Sequence, residues 1–189
     1  NDCGSVTTTQ TITVTTIPVV AFTADVVSGC APLVVNFMDE TTGTVNSWSW
    51  EIQGGTPNTS TDQNPTVTFD TPGTYDVTLT VTNSNGSYPI TQTSMIVVGA
   101  APTAAFDANL SGSVYSFTNN SISATSFVWD FGDGSMTSTE MNPTHSYALS
   151  GSYTVQLISN GPCGADTTEI LLAVVAAPMA AFSSDTTFG

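Results

Sequence analysis

The chain of 189 residues carries no Lys or Arg against 15 Asp and Glu, for a formal charge of −15 at pH 7. Only 8% of its residues are charged, against about 25% of both signs in an ordinary soluble domain. Without a cationic side chain it lacks the means to neutralise phosphate in a nucleic acid, to sit on anionic lipid through a basic patch, or to run lysine Schiff-base chemistry. A 40% hydrophobic content with three Trp, five Tyr and nine Phe nonetheless supplies core anchors, so a folded chain is expected rather than a disordered one. The longest apolar run, Ile170–Ala177, falls well short of the ~18–20 residues of a membrane helix, and direct membrane insertion is not expected. With no initiator methionine, signal-peptide pattern or anchor signal, the sequence reads as a segment of something longer.

In chain order, a first phrase Pro18-Val19-Val20-Ala21-Phe22 returns as Pro102-Thr103-Ala104-Ala105-Phe106 and again as Pro178-Met179-Ala180-Ala181-Phe182. Between these marks the landmarks recur in one order. Trp50-Glu51-Ile52 answers to Trp129-Asp130-Phe131, Asn64–Phe69 to Asn142–Tyr147, and Pro72–Leu79 to Ser150–Leu157. A longer period also shows: residues 1–29 laid on 161–189 agree at Cys3/Cys163, Gly4/Gly164, Pro18/Pro178, Phe22/Phe182 and Gly29/Gly189, among others. The organisation predicted is 1–17 as the last strand or strands of a preceding domain, 18–100 and 101–176 as two whole domains, and 177–189 as the first strand of a following one. Because Gly29 precedes Cys30, the parent chain is expected to place a cysteine after Gly189.

Within each domain the pattern is that of strands. Val34–Phe37 comes first, then Tyr75, Val77, Leu79 and Val81 alternating with Asp76, Thr78 and Thr80, the period of two that marks a half-buried strand. Tyr115–Phe117, Phe127–Trp129 and Tyr153–Leu157 follow the same rule. Gly54-Gly55, Asn85-Gly86, Gly132-Asp133-Gly134 and Asn160-Gly161 punctuate the runs as turns, abundant threonine suits the exposed face of a sheet, and no window holds a helical period. Short strands between frequent turns predict an all-β chain of antiparallel β-sandwiches, with Trp50 and Trp129 as the central core anchors.

The residues Trp129-Asp130-Phe131-Gly132-Asp133-Gly134, then Asn142–Tyr147 and Gly151–Val155, resemble the PKD (polycystic kidney disease) domain, an immunoglobulin-like β-sandwich. The first copy resembles it in Gly29–Phe37 and Pro72-Gly73-Thr74-Tyr75, but Trp50-Glu51-Ile52-Gln53-Gly54-Gly55 lacks the Asp-Gly turn, so that hairpin is expected to be built differently. The resemblance implies tandem immunoglobulin-like sandwiches end to end, a non-enzymatic role, and an extracellular or cell-surface location. PKD arrays occur as spacers in adhesins, gliding-associated proteins, proteases and chitinases.

On that frame Cys30 falls just before the second strand of the first domain and Cys163 in the last hairpin of the second, at poles that meet in an end-to-end array. A disulfide between Cys30 and Cys163 is the pairing implied, with Cys3 bonded upstream; unpaired buried thiols and links between neighbouring chains are the alternatives. Asp130 and Asp133 are candidate Ca²⁺ ligands, although the twelve-residue loop pattern of dedicated Ca²⁺ sites is missing. His145, the single histidine, has no partner constellation for catalysis or zinc. Asp166-Thr167-Thr168 and Asp185-Thr186-Thr187 resemble an O-glycosylation motif of secreted Bacteroidetes proteins, making Thr167 and Thr186 the candidate acceptors. Asn58, Asn85, Asn109 and Asn119 head Asn-x-Ser/Thr sequons. The expected function is a glycosylated filament, stalk or matrix fibre whose partners are neighbouring repeats of the same protein. The rival expectations are the ligand-binding part of an adhesin and a spacer in a secreted hydrolase.

Overall fold

The computed structural model describes residues 4, 7–10 and 16–175. The chain divides between Gly99 and Ala100 into two compact units. The described residues contain strands and turns and no helix.

Unit 1 holds β1 (Phe22–Ala24), β2 (Ser28–Cys30), β3 (Leu33–Asp39), β4 (Ser47–Ile52), β5 (Thr59–Ser60), β6 (Thr66–Phe69), β7 (Gly73–Asn83) and β8 (Gly86–Gly99). They form a sheet ordered β1-β3-β6 and a second ordered β2-β8-β7-β4-β5. All pairs are antiparallel except β2 on β8, where Ser28–Cys30 runs parallel to Val97–Gly99. Alternation along β7 sends Val77, Leu79 and Val81 inward, each with no exposed surface, and leaves Thr78, Thr80 and Thr82 on the outer face. Trp50, also fully buried, lies between Phe22 at 5.1 Å, edge to face, and Phe37 at 5.6 Å. Its indole N–H donates to the Asp62 carbonyl at 2.9 Å, which satisfies the one polar atom that burying a tryptophan brings along.

Unit 2 repeats this with fewer strands: β9 (Phe106–Ser111), β10 (Val114–Asn119), β11 (Ser126–Asp130), β12 (Thr144–His145), β13 (Gly151–Gly161) and β14 (Gly164–Val174). Its sheets are ordered β12-β10-β9 and β11-β13-β14. Trp129 meets Phe106 at 5.0 Å and Phe117 at 5.6 Å, and its N–H donates to the Glu140 carbonyl at 2.9 Å. The two cores therefore share one anchor geometry, and each encloses its own cluster of buried residues.

The hairpin expected to differ between the copies does differ. In unit 2, Gly132 and Gly134 take φ of 76° and 77°, and the Asp side chains serve the turn's own amides. In unit 1 the chain leaves β4 through Gly54 at φ 71° and returns as β5, which pairs Ser60 with Trp50 and Thr59 with Glu51. A shared corner appears in both: the Tyr75 hydroxyl donates to the Thr71 carbonyl at 2.7 Å and the Tyr153 hydroxyl to Leu149 at 3.0 Å. Each ties the start of a central strand to the turn before it, as tyrosine corners do in immunoglobulin-like sandwiches.

Candidate functional site

A set of interacting polar and aromatic side chains lies beside the Gly132-Asp133-Gly134 turn of unit 2. β12 carries His145 to the turn, where its Nε2 meets Asp133 Oδ2 at 2.8 Å. The imidazole stacks on Phe131 with centroids 4.1 Å apart and planes 2° off parallel, and meets Tyr147 edge to face at 4.7 Å. The Tyr147 hydroxyl donates to the Phe131 carbonyl at 2.9 Å, and its ring stacks on Tyr153 at 4.3 Å. Unit 1 places Val67 and Phe69, both fully buried, where unit 2 has His145 and Tyr147, so this polar cluster is a feature of the second copy.

Electrostatics follow the contacts. Burial pushes the Asp133 carboxyl up, but hydrogen bonds from Ser135 and His145 outweigh it and hold the group at about 2. Burial, reinforced by the negative charge of Asp133, pushes Tyr147 up to about 12. Asp133 Oδ1 accepts the Ser135 amide at 3.0 Å and Asp130 Oδ1 the Gly132 amide at 2.9 Å. The two candidate Ca²⁺ ligands are thus oriented by the turn's own N–H groups. Among the described residues no group of three or more His, Cys, Asp or Glu side chains is placed to hold a metal ion. The arrangement buttresses the turn.

Cys30 ends β2, and Cys163 lies in the two-residue loop between β13 and β14; both are disulfide-bonded. Thr167 is exposed on β14, while the neighbouring Asp166 Oδ2 accepts the Ala104 amide at 2.8 Å. Cys3 and Thr186 lie outside the described residues. Of the sequon asparagines, Asn58, Asn85 and Asn109 are exposed. Asn119 is closed: its amide nitrogen, the atom to which a glycan would be joined, is buried without a hydrogen-bond partner. In unit 1, shallow open recesses run along β4 and β5, lined by Gly54–Asn58 and by Ser49 with Thr59–Thr61; they hold no converging titratable groups.

The parallel strand β2, the tyrosine corners and the His145 cluster escaped the sequence reading. Only the corners left a signal, the Gly-x-Tyr at 73–75 and again at 151–153.

The fold defines a pair of immunoglobulin-type modules, each a two-sheet sandwich with its own core. The family model described as PKD domain matches residues 15–98 and again 100–175, and the chain belongs to that family. PKD and immunoglobulin-like domains are usually non-catalytic modules, though they occur within enzymes, and PKD domains are typically extracellular. Among solved structures, the PKD1 domain of the Vibrio cholerae metalloprotease PrtV is 37% identical, covering 39% of this chain and 96% of that one, with a TM-score of 0.36. Collagenase ColA of Bacillus cereus is 50% identical over 44 residues, 23% of this chain and 4% of that protein. A microbial collagenase of Vibrio alginolyticus is 44% identical over 70 residues, 33% of this chain and 8% of that protein. The chain therefore spans less than a tenth of the length of either collagenase.

Proposed function

We propose that the chain is a structural segment of an extracellular repeat protein: a filament, stalk or matrix fibre at a microbial surface, glycosylated at Thr167 and Thr186. The observation that carries this reading is the tandem of two PKD domains, each with a complete tryptophan-centred core of its own. Such units serve as beads, and fifteen uncompensated carboxylates repel one another and favour an extended array. With no Lys or Arg, cohesion between beads has to be apolar, hydrogen-bonded or covalent. The covalent element in this reading is a bond between Cys30 and Cys163, supported by both being disulfide-bonded in a chain of three cysteines. Intact mass with and without reduction, followed by peptide mapping of the unreduced protein, tests the pairing. A joined peptide containing Cys30 and Cys163 is expected, and a Cys3 partner for either would overturn it.

Immunogold labelling of the source cells, with antibody to residues 16–175, tests the fibre. Label along extended surface structures is the expected result. The collagenase relatives favour a second reading, a spacer within a secreted hydrolase. Label confined to a soluble proteolytic fraction would select it.

A further inference from the structure

The two units also differ in how their last strand meets solvent. In unit 1, β8 is a poor edge. β2 covers it at Val97–Gly99, and Pro89 removes a donor. Its register with β7 also breaks between Tyr75 and Val77, where Ser94 takes φ 53° and gives its amide to Asp76 Oδ1 at 2.7 Å. These are the devices by which natural sheets discourage pairing with other chains.

Unit 2 has none of them along β14. A tight hairpin joins β9 to β10, from Ser111 to Val114, in place of the excursion that holds β2 in unit 1. β14 pairs with β13 in unbroken register from Gly161↔Gly164 to Gly151↔Val174. It contains no proline, and among the described residues no strand lies on its other side. The two-residue loop Pro162–Cys163 makes Gly161↔Gly164 a hydrogen-bonded pair, so alternation aims the N–H and C=O of Thr167, Glu169, Leu171 and Ala173 away from β13. Lysine, the commonest guard of an open edge, is absent from the whole chain.

We propose that β14 is a strand-addition surface for a second copy of this chain, the two β14 strands pairing antiparallel about a twofold axis at Leu171. Leu171 is 69% exposed, and of the outward carbonyls on this edge that of Ala173 also accepts the Tyr115 hydroxyl, in a long bond of 3.4 Å that leaves its second lone pair for a partner strand. Centred on Leu171, the register sets Leu171 against Leu171, Glu169 against Ala173, and Thr167 against Val175, itself 86% exposed. Apolar groups meet and no carboxylate faces another, the self-complementarity that an isologous contact requires. A cationic strand finds less here. Asp166 is taken by the Ala104 amide, and Glu169 Oε1 accepts Gln156 Nε2 at 2.7 Å. The charge of −15 on each copy opposes approach, so association rises with ionic strength. The pairing needs only unit 2 and stands whether or not the parent protein is a fibre.

Sedimentation equilibrium on the full 189-residue chain, made without glycosylation, tests this across a salt series. The expected mass is that of one 19.5 kDa chain at low salt, rising toward twice that value with salt and protein concentration. Leu171→Lys abolishes the rise although it lowers the net charge. Leu171→Pro does the same by removing an outward N–H, and Met136→Lys, on an exposed loop residue, leaves it unchanged. Circular dichroism confirms that each variant folds. A wild-type chain that stays monomeric at every salt, or a dimer indifferent to both Leu171 variants, overturns the proposal.

Discussion

Trp50→Ala is the sharpest test of two separate interiors. The indole is fully buried, packed on Phe22 and Phe37, and its N–H holds the Asp62 carbonyl at 2.9 Å. Truncating a buried tryptophan costs about 3–5 kcal/mol, and the abandoned carbonyl adds roughly 1 kcal/mol where water does not reach it. A unit of this size holds about 4–13 kcal/mol in all, so the substitution removes much of unit 1's stability. At about 4–8 °C per kcal/mol, its melting transition falls by some 15–50 °C or disappears. Scanning calorimetry reads the shift. Limited chymotrypsin digestion locates it, trypsin having no cleavage site in a chain without Lys or Arg. Cleavage confined to residues 18–98, with 101–175 resistant, is expected, and Trp129→Ala should give the mirror image. If either substitution lowers both transitions equally, the cores are one and the reasoning fails.

Tyr75→Phe and Tyr153→Phe each remove one hydroxyl-to-carbonyl bond and should cost about 1 kcal/mol by urea denaturation; a neutral effect would mean that the corners are decorative. Asp133 is held at about 2 against 3.8 in an unfolded chain. Its contribution to unit 2 is complete above about pH 4 and is lost as pH falls through 2, an acid limb that Asp133→Asn should flatten in pH-dependent melting. Tyr147, raised to about 12 from 10, binds its proton more tightly when folded. Unit 2 should therefore weaken as pH climbs from about 10 to 12, a limb that Tyr147→Phe should remove in pH-dependent melting. Gly132→Ala forces a side chain onto a φ of 76° and against the Thr154 carbonyl. A loss of about 1–3 kcal/mol confined to unit 2 is expected, and an unchanged melting curve would show that the turn yields.

The period of two was enough to read Trp50, Trp129 and the β7 and β13 cores, because in a sandwich each inward residue is separated from the next by one facing water. The same rule has nothing to say about β2, whose three residues Ser28-Gly29-Cys30 are too short to show a period and pair with a strand near the other end of the unit. Nor does it separate Val67 from His145. Both occupy one position of the repeat, yet one is sealed in apolar surroundings and the other turns its nitrogen to Asp133. Asn119 is legible as a sequon and illegible as a closed one. Its backbone amide donates to Asn142 and its side-chain oxygen accepts from Ser121, contacts that lock the side chain and bury the amide nitrogen. Local pattern gives the face on which a residue sits; long-range pairing decides what that face meets.

The absence of cations explains how the carboxylates are used. Asp25 accepts the Val26 and Asn36 amides at 2.8 and 2.9 Å, and Asp39 takes the Trp48 indole at 2.7 Å and the Thr41 amide at 2.9 Å. Asp76, Asp130, Asp133 and Asp166 likewise cap backbone N–H groups. In a chain with ordinary lysines, part of this acidity would sit in exposed ion pairs worth little and screened by salt. Here it is spent on donors a few ångströms away, which salt screens weakly, while the mutual repulsion of the fifteen carboxylates acts over longer distances and is screened strongly. Added salt should therefore spare the bonds that hold each sandwich and relieve the repulsion between surfaces. Stability and association rise together with ionic strength, so the conditions that most favour contact between copies are also those in which each bead is hardest to unfold.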